Sequence, residues 1–246
     1  MQEIVKSVTA REAPRDVIIF NHIPKAGGTS LIAFFRSLLG EDYVFRHKSR
    51  DSKSDLYSPG IESLSPQELD QYDFFAGHFG YGYHRLIKRP VRYLGVVREP
   101  LERATSHYLY LRKHGPKHLK AQALEMTFEE YLEYRLGLKS NPMVESCQIE
   151  LLTGQRDLEQ AKKIVVRDYL ACCTISQLTE MQKALARLYR RPDLLPQNVN
   201  RTEKPLHELT VRQEVRDRLD ERFALDREFI DWVSSTFRSN VQHLGR

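Results

Sequence analysis

The stretch Val17-Ile18-Ile19-Phe20-Asn21-His22-Ile23-Pro24-Lys25-Ala26-Gly27-Gly28-Thr29-Ser30 decides the fold. Its first half, Val17 to His22, is an apolar, β-branched run that predicts a buried strand. The loop that follows carries one lysine, two glycines and two hydroxyls. Leu31, Phe34, Phe35, Leu38 and Leu39 then recur at helical spacing, predicting a helix over Thr29–Leu39 that Gly40 closes. A strand, a Gly-rich loop and a helix in that order build a phosphate cradle. Glycines let backbone N–H groups approach an anion, the helix N-terminus adds a positive field, and the lysine adds a point charge.

Outward from this unit the strand and helix signals alternate. Tyr72–Ala76 predicts a short strand that runs into Gly77-His78-Phe79-Gly80-Tyr81-Gly82, and Tyr93–Val97 predicts another. Pro100 opens a helix that buries Leu101, Ala104, Tyr108 and Leu111 and stops at Gly115-Pro116. The second half reads as helices over Thr127–Leu136, Asn141–Leu152, Leu158–Val166 and Ser176–Tyr189, with two more near the C-terminus and one strand, Tyr169–Thr174. Polar stretches at 46–66, 113–122 and 193–205 read as loops. Strands separated by helices imply an α/β fold: a parallel sheet with helices on both faces and ligands at the carboxyl ends of its strands. Each motif singled out below follows a strand.

The 246 residues are read as one domain, with residues 1–16 a flexible leader to it. A net charge of +5 favours anionic partners but does not separate nucleic acid, a phosphorylated cofactor and an acidic polysaccharide. Cys147, Cys172 and Cys173 fit neither a disulfide framework nor a zinc site and are expected to be free thiols. With no apolar stretch of membrane-spanning length and no signal core in the polar N-terminus, the chain reads as cytoplasmic, unless it is cut from a longer, membrane-anchored precursor.

The loop departs from a Walker A sequence, in which lysine follows the glycines. Here Lys25 precedes Gly27 and Gly28, and Arg98 stands at a strand end where a Walker B carboxylate would hold Mg²⁺. The site is built to hold phosphate with donors alone. Arg98 offers a forked guanidinium and Ser106, two turns into the following helix, a hydroxyl; the two can converge on one phosphate. Arg103 and Arg112 read as a solvated face of that helix. On the residues alone, a kinase using ATP and Mg²⁺ on a small molecule, or a non-catalytic binder of nucleotide or anionic glycan, also stays open.

Two spaced motifs carry a resemblance. His22-Ile23-Pro24-Lys25-Ala26-Gly27-Gly28-Thr29-Ser30 is similar to the 5′-phosphosulfate loop of the sulfotransferases that use 3′-phosphoadenosine 5′-phosphosulfate (PAPS). Arg98…Pro100…Arg103…Ser106…Tyr108…Arg112 resembles their 3′-phosphate motif. The resemblance is strong over residues 17–112 and points to the carbohydrate O-sulfotransferases related to the heparan sulfate 2-O-, 6-O- and chondroitin enzymes. It implies a P-loop-kinase-like sheet with a helix-rich C-terminal half. PAPS is the implied cosubstrate, without a metal, and the implied partner is a carbohydrate hydroxyl, not nucleic acid. Lys25, Ala26, Gly27, Gly28, Thr29 and Ser30 would hold the 5′ end, and Arg98 and Ser106 the 3′-phosphate. Weaker matches are Ile175–Glu180, with Ser176 where glycine is usual, Asn141 with Gln148, and the polar loop Asn198–Thr202, which adds Arg201 and Thr202 to the cofactor contacts.

Sulfonyl transfer to a hydroxyl needs a base of near-neutral pKa and a cation on the departing oxygen. His78 follows a strand among small residues and resembles the Gly-His histidine of the glycan 2-O-sulfotransferases, which makes it the expected base and Lys25 the leaving-group stabiliser. His22 is the second choice as base, better suited to packing against the loop. His84 and His107 read as surface or supporting residues. Tyr81, Tyr83 and Tyr108 read as core packing before a sugar-stacking wall.

Overall fold

The structure is a computed structural model that describes residues 16–46, 60–78, 80–137, 147–199 and 209–242. Five strands form its sheet: β1 (Val17–Asn21), β2 (Val44–Arg46), β3 (Phe74–Gly77), β4 (Val91–Val97) and β5 (Tyr169–Thr174). All neighbours are parallel, in the order β2-β3-β1-β4-β5. β1 is central, with Ile18 opposite Phe74 and Ile19 opposite Tyr93. Side chains alternate between the faces of a strand, and every residue of β1 and β3 is buried. Both faces of the sheet are therefore covered, as a parallel sheet requires.

The covering helices are α1 (Gly28–Leu39), α2 (Pro66–Leu69), α3 (Pro100–His114), α4 (Lys117–Glu125), α5 (Phe128–Gly137), α6 (Gln148–Thr153), α7 (Leu158–Asp168), α8 (Leu178–Leu188), α9 (Gln213–Arg222) and α10 (Ala224–Gln242). The apolar stripe of α1 buries Leu31, Phe34, Phe35, Leu38 and Leu39 in the main core. There the Phe35 ring stacks on Phe74 of β3 with centroids 3.9 Å apart and meets Tyr189 edge-on. From α10, Phe229, Val233 and Phe237 join the same core. A smaller cluster of Tyr108, Leu111, Phe128, Tyr131, Val215 and Leu219 binds α3, α5 and α9 into a helical flank. This is the P-loop-like layering that the sequence predicts, with the helix-rich second half in place. Cys147, Cys172 and Cys173 are free thiols, the last two buried in β5.

Three readings change. Val44–Arg46 is an edge strand, too short at three residues to show a period. Lys117–Glu125, overlapping the stretch 113–122 read as loop, is a helix that follows Pro116. Arg103 is not on a solvated face: it is 4% exposed, and that burial holds its pKa below the ordinary arginine value while the charge of buried Asp226 opposes the shift. Of the helix read over Asn141–Leu152, the structure has Gln148–Thr153, and 141–146 lie outside the described residues, as do 1–15 and most of 46–66.

Truncating Phe35 removes a fully buried ring and leaves the Phe74 face bare. Phe35→Ala is expected to cost about 3–5 kcal/mol of unfolding free energy. Urea denaturation reads this directly, and a loss below about 1 kcal/mol would mean the core closes over the gap.

Candidate active site

The site grows from the junction of β1 and α1. Gly27 caps α1 in the left-handed region at φ 80°, and Lys25 is also left-handed at φ 67°. A Cβ on Gly27 would stand 2.5 Å from Ile175 Cδ1 and 2.8 Å from Leu178 Cδ2. A Cβ on Gly28 would stand 1.9 Å from His22 Nε2. The glycines thus press the start of α1 between the segment after β5 and the His22 ring, with the helix's first N–H groups at the cleft. Thr29 is exposed at this end, and buried Ser30 exchanges two hydrogen bonds with the backbone of Val199: its Oγ donates to the carbonyl at 3.2 Å and accepts from the N–H at 3.0 Å.

The cleft has a volume of about 760 Å³, and His22, Lys25, Gly27 to Ser30, His78, Arg98 and Ser106 all line it. Ala26 does not: its side chain is fully buried and its N–H donates to the Ile23 carbonyl at 3.1 Å. Thr105, His107, Tyr110, Ser176, Thr179, Gln197 and Asn198 complete the polar lining, which holds no carboxylate among the described residues. Arg201 and Thr202 lie outside the described residues, as does Asn141. Among the described residues no group of three or more His, Cys, Asp or Glu is placed to hold a metal ion.

Of the two cations, Arg98 pairs with a carboxylate and Lys25 rests on an aromatic ring. Arg98, directly after β4, donates from Nη1 to the Lys25 carbonyl at 3.1 Å and from Nε to Glu102 at 3.4 Å. The Lys25 ammonium lies 4.0 Å above the Tyr110 ring centroid. Burial first, and then the Arg98 charge, hold its pKa below the ordinary lysine value. A pair of like charges facing a cleft with no carboxylate in its described lining, with a helix N-terminus beside them, is a site for an anion. The donor set at this helix start suits a phosphorylated ligand, the class that the resemblance implies.

His78 meets the loop from β3. Its Nδ1 donates to the His22 carbonyl at 2.8 Å. A carbonyl only accepts, so this contact puts the proton of the neutral ring on Nδ1 and leaves Nε2 a lone pair. His22 itself stacks between Phe20 and His78, with ring centroids 5.4 and 4.6 Å away. Burial, then the charges of His78, Arg46 and Lys25, push its pKa down to about 3. That ring packs, as expected, while its backbone orients His78.

Tyr81 and Tyr108 are away from the cleft lining, Tyr81 bonded to Asp168 and Tyr108 buried with its hydroxyl on the Met126 carbonyl at 2.7 Å. Arg112 spends its guanidinium on the Tyr108 hydroxyl at 2.6 Å, and His84 bonds the Tyr93 hydroxyl at 2.8 Å. The sequence reading missed Tyr110, which carries no signal beyond its helical position, and Gln182. Fully buried on the apolar stripe of α8, Gln182 accepts from the Gln197 N–H at 2.6 Å and donates to its carbonyl at 3.2 Å. A glutamine on such a stripe was the available signal.

His107, also in the lining, bonds Tyr131 Oη at 2.5 Å, and burial, followed by the charges of Arg135, Lys25 and Arg103, pushes its pKa to about 3. In the unfolded chain both His22 and His107 take up protons near 6.5, in the folded chain only near 3. Between those values the unfolded state binds more protons, so stability rises with pH and these contributions are lost as pH falls toward 3. The thermal midpoint is therefore expected to drop through this window on acidification, and His107→Gln to flatten the drop. A slope identical to wild type in that variant would contradict the assignment.

Among the described residues no helix is long and apolar enough to cross a membrane. The profile of the "Sulfotransferase family" matches residues 9–231. The chain is 27% identical over 260 residues to "Heparan sulfate 2-O-sulfotransferase hst-2" of Caenorhabditis elegans, covering 90% of this chain and 78% of that protein. It is 25% identical over 202 residues to "Heparan sulfate 2-O-sulfotransferase 1" of Gallus gallus, covering 71% of this chain and 56% of that protein. A solved structure of mouse sulfotransferase SULT7A1 complexed with PAP aligns with a TM-score of 0.41 at 15% identity, over 94% of this chain and 90% of that one. With an anion cleft at the β1–α1 junction and a family profile spanning nearly its whole length, the chain belongs to the sulfotransferase family.

Proposed function

We propose that the protein transfers a sulfonate group from PAPS to a hydroxyl of a carbohydrate or glycan-bearing acceptor. The observation that carries this reading is the convergence of the Lys25 loop, Arg98 with Ser106, and His78 on one cleft with no carboxylate in its described lining. The names of the two heparan sulfate relatives support the carbohydrate acceptor. The three free thiols support a reducing, cytoplasmic setting.

In this reading the N–H groups at Gly27, Gly28 and Thr29 hold the 5′-phosphate and sulfonate, and Arg98 and Ser106 hold the 3′-phosphate. His78 Nε2 takes the proton of the acceptor hydroxyl as its oxygen bonds to sulfur. Lys25 moves its ammonium onto the bridging oxygen, which gains charge as the sulfur–oxygen bond breaks and adenosine 3′,5′-bisphosphate departs. Ser30, held by Val199, carries the polar loop that follows α8 toward the same cleft.

Adenosine 3′,5′-bisphosphate is expected to raise the thermal midpoint, and ATP with Mg²⁺ to leave it little changed; the reverse order would favour a kinase. Wild type should move label from PAPS to a glycan acceptor. His78→Ala should lower kcat by about 10²–10⁴ and Lys25→Ala by about 10²–10³, with both folds intact by circular dichroism. Wild-type turnover in His78→Ala would remove it as the base, and binding of the bisphosphate without transfer to any acceptor would leave a nucleotide-binding protein.

A further inference from the structure

Arg98 lies just beyond β4, where the sheet's hydrogen bonding ends and its own backbone needs other partners. One side chain supplies both. Gln148, the first residue of α6 and 0% exposed, accepts from the Arg98 N–H at 3.0 Å and donates its amide N–H to the Arg98 carbonyl at 2.7 Å. This two-point contact does for residue 98 what a neighbouring strand would do, and it fixes the peptide plane from which the guanidinium departs. The guanidinium then reaches the Lys25 carbonyl at 3.1 Å, so the setting of Arg98 passes directly to the left-handed turn of the phosphate loop.

Gln148 is itself held from behind. Fully buried Asp226 of α10 accepts from the Ile149 N–H at 3.1 Å and from the Cys147 thiol at 3.0 Å, which pins the first turn of α6. Arg98 is thus set against a buried carboxylate through Gln148 and the first turn of α6.

We infer that Gln148 is a positioning residue whose amide sets the Arg98 fork, and through it the protein's selectivity for a nucleotide carrying a 3′-phosphate. The inference rests on the proposed reading of Arg98 as a 3′-phosphate ligand. It gives Gln148 no contact with substrate. Its effect is confined to the part of the affinity that the 3′-phosphate supplies. A residue needed only for general stability would instead weaken every nucleotide alike.

Calorimetric affinities for adenosine 3′,5′-bisphosphate and adenosine 5′-monophosphate, taken as a ratio, read that selectivity in the full chain. Gln148→Met keeps the side-chain length and loses both amide bonds. It is expected to reduce the ratio by about tenfold, the weight of a charge-assisted hydrogen bond, with monophosphate affinity unchanged. Gln148→Glu keeps the acceptor for the Arg98 N–H but loses the donor to its carbonyl, and should fall between wild type and Met. Arg98→Ala should abolish the preference, and adding Gln148→Met to it should change nothing further. If wild type itself shows no preference, the proposed function fails. If wild type and Arg98→Ala behave as stated while Gln148→Met keeps the wild-type ratio, the inference alone is overturned. Failure of both Gln148 variants to fold would overturn it as well, because a residue that only positions Arg98 is dispensable for folding.

Discussion

Everything at the site depends on how closely α1 can be brought onto the end of β1. The chain leaves a fully buried strand and must begin a helix within seven residues, with no room at two of them for a Cβ. Ile175 and Leu178 close on Gly27 from one side, and the His22 ring closes on Gly28 from the other. The left-handed Lys25 costs about 1–2 kcal/mol in a non-glycine residue. That cost is offset by the packing of the whole α1 stripe beneath it, whose burial of five large apolar side chains is several times larger. The strain is therefore sustained by the core.

A second constraint acts where the regular elements stop. Arg98 lies just past β4 and Gln197 lies past α8, so neither backbone can be satisfied by its own strand or helix. Buried backbone groups need partners. In both places a fully buried glutamine provides a donor and an acceptor at once: Gln148 for residue 98 and Gln182 for residue 197. The two loops that flank the cleft are thus set by amides projecting from helices that belong to the core. Precision at the cleft is inherited from helix packing, which is stiffer than loop packing.

These relations explain what the sequence made legible. The β1 run, the Gly-rich turn and the α1 stripe are local patterns, and their spacing alone predicts strand, cradle and helix. Tyr169–Thr174 was visible for the same reason, a short apolar run between helical periods. The cleft positions of Lys25, Arg98, Ser106 and His78 followed from the rule that ligands sit beyond the carboxyl ends of parallel strands. Arg103 was misread because its burial is set by the tertiary packing of α3, which no local period reports. The edge strand Val44–Arg46 was too short, and α4 too rich in lysine and histidine, to show a period. Ala26 fell inside the motif but faces the core, because a loop this tight turns one residue inward.

The cations of the cleft show why the site is suited to an exchange of partners. Lys25 rests on the Tyr110 ring, a contact worth about 0.5–1 kcal/mol at a partly exposed site. Arg98 shares its guanidinium between a carbonyl and a carboxylate at the long distance of 3.4 Å. Hydrogen bonds to a charged oxygen are worth about 1.5–3 kcal/mol each, so on the proposed reading a phosphate outweighs the Tyr110 ring for Lys25 and the Lys25 carbonyl for Arg98. The Lys25 ammonium also sits where burial and Arg98 already disfavour its charge. An arriving anion relieves that penalty as well as forming its own bonds. On the proposed reading the gain is largest when charge accumulates on the bridging oxygen. The same electrostatics that draw the nucleotide in then favour the departing phosphate over the intact donor, so that binding and leaving-group stabilisation become two uses of one unneutralised lysine.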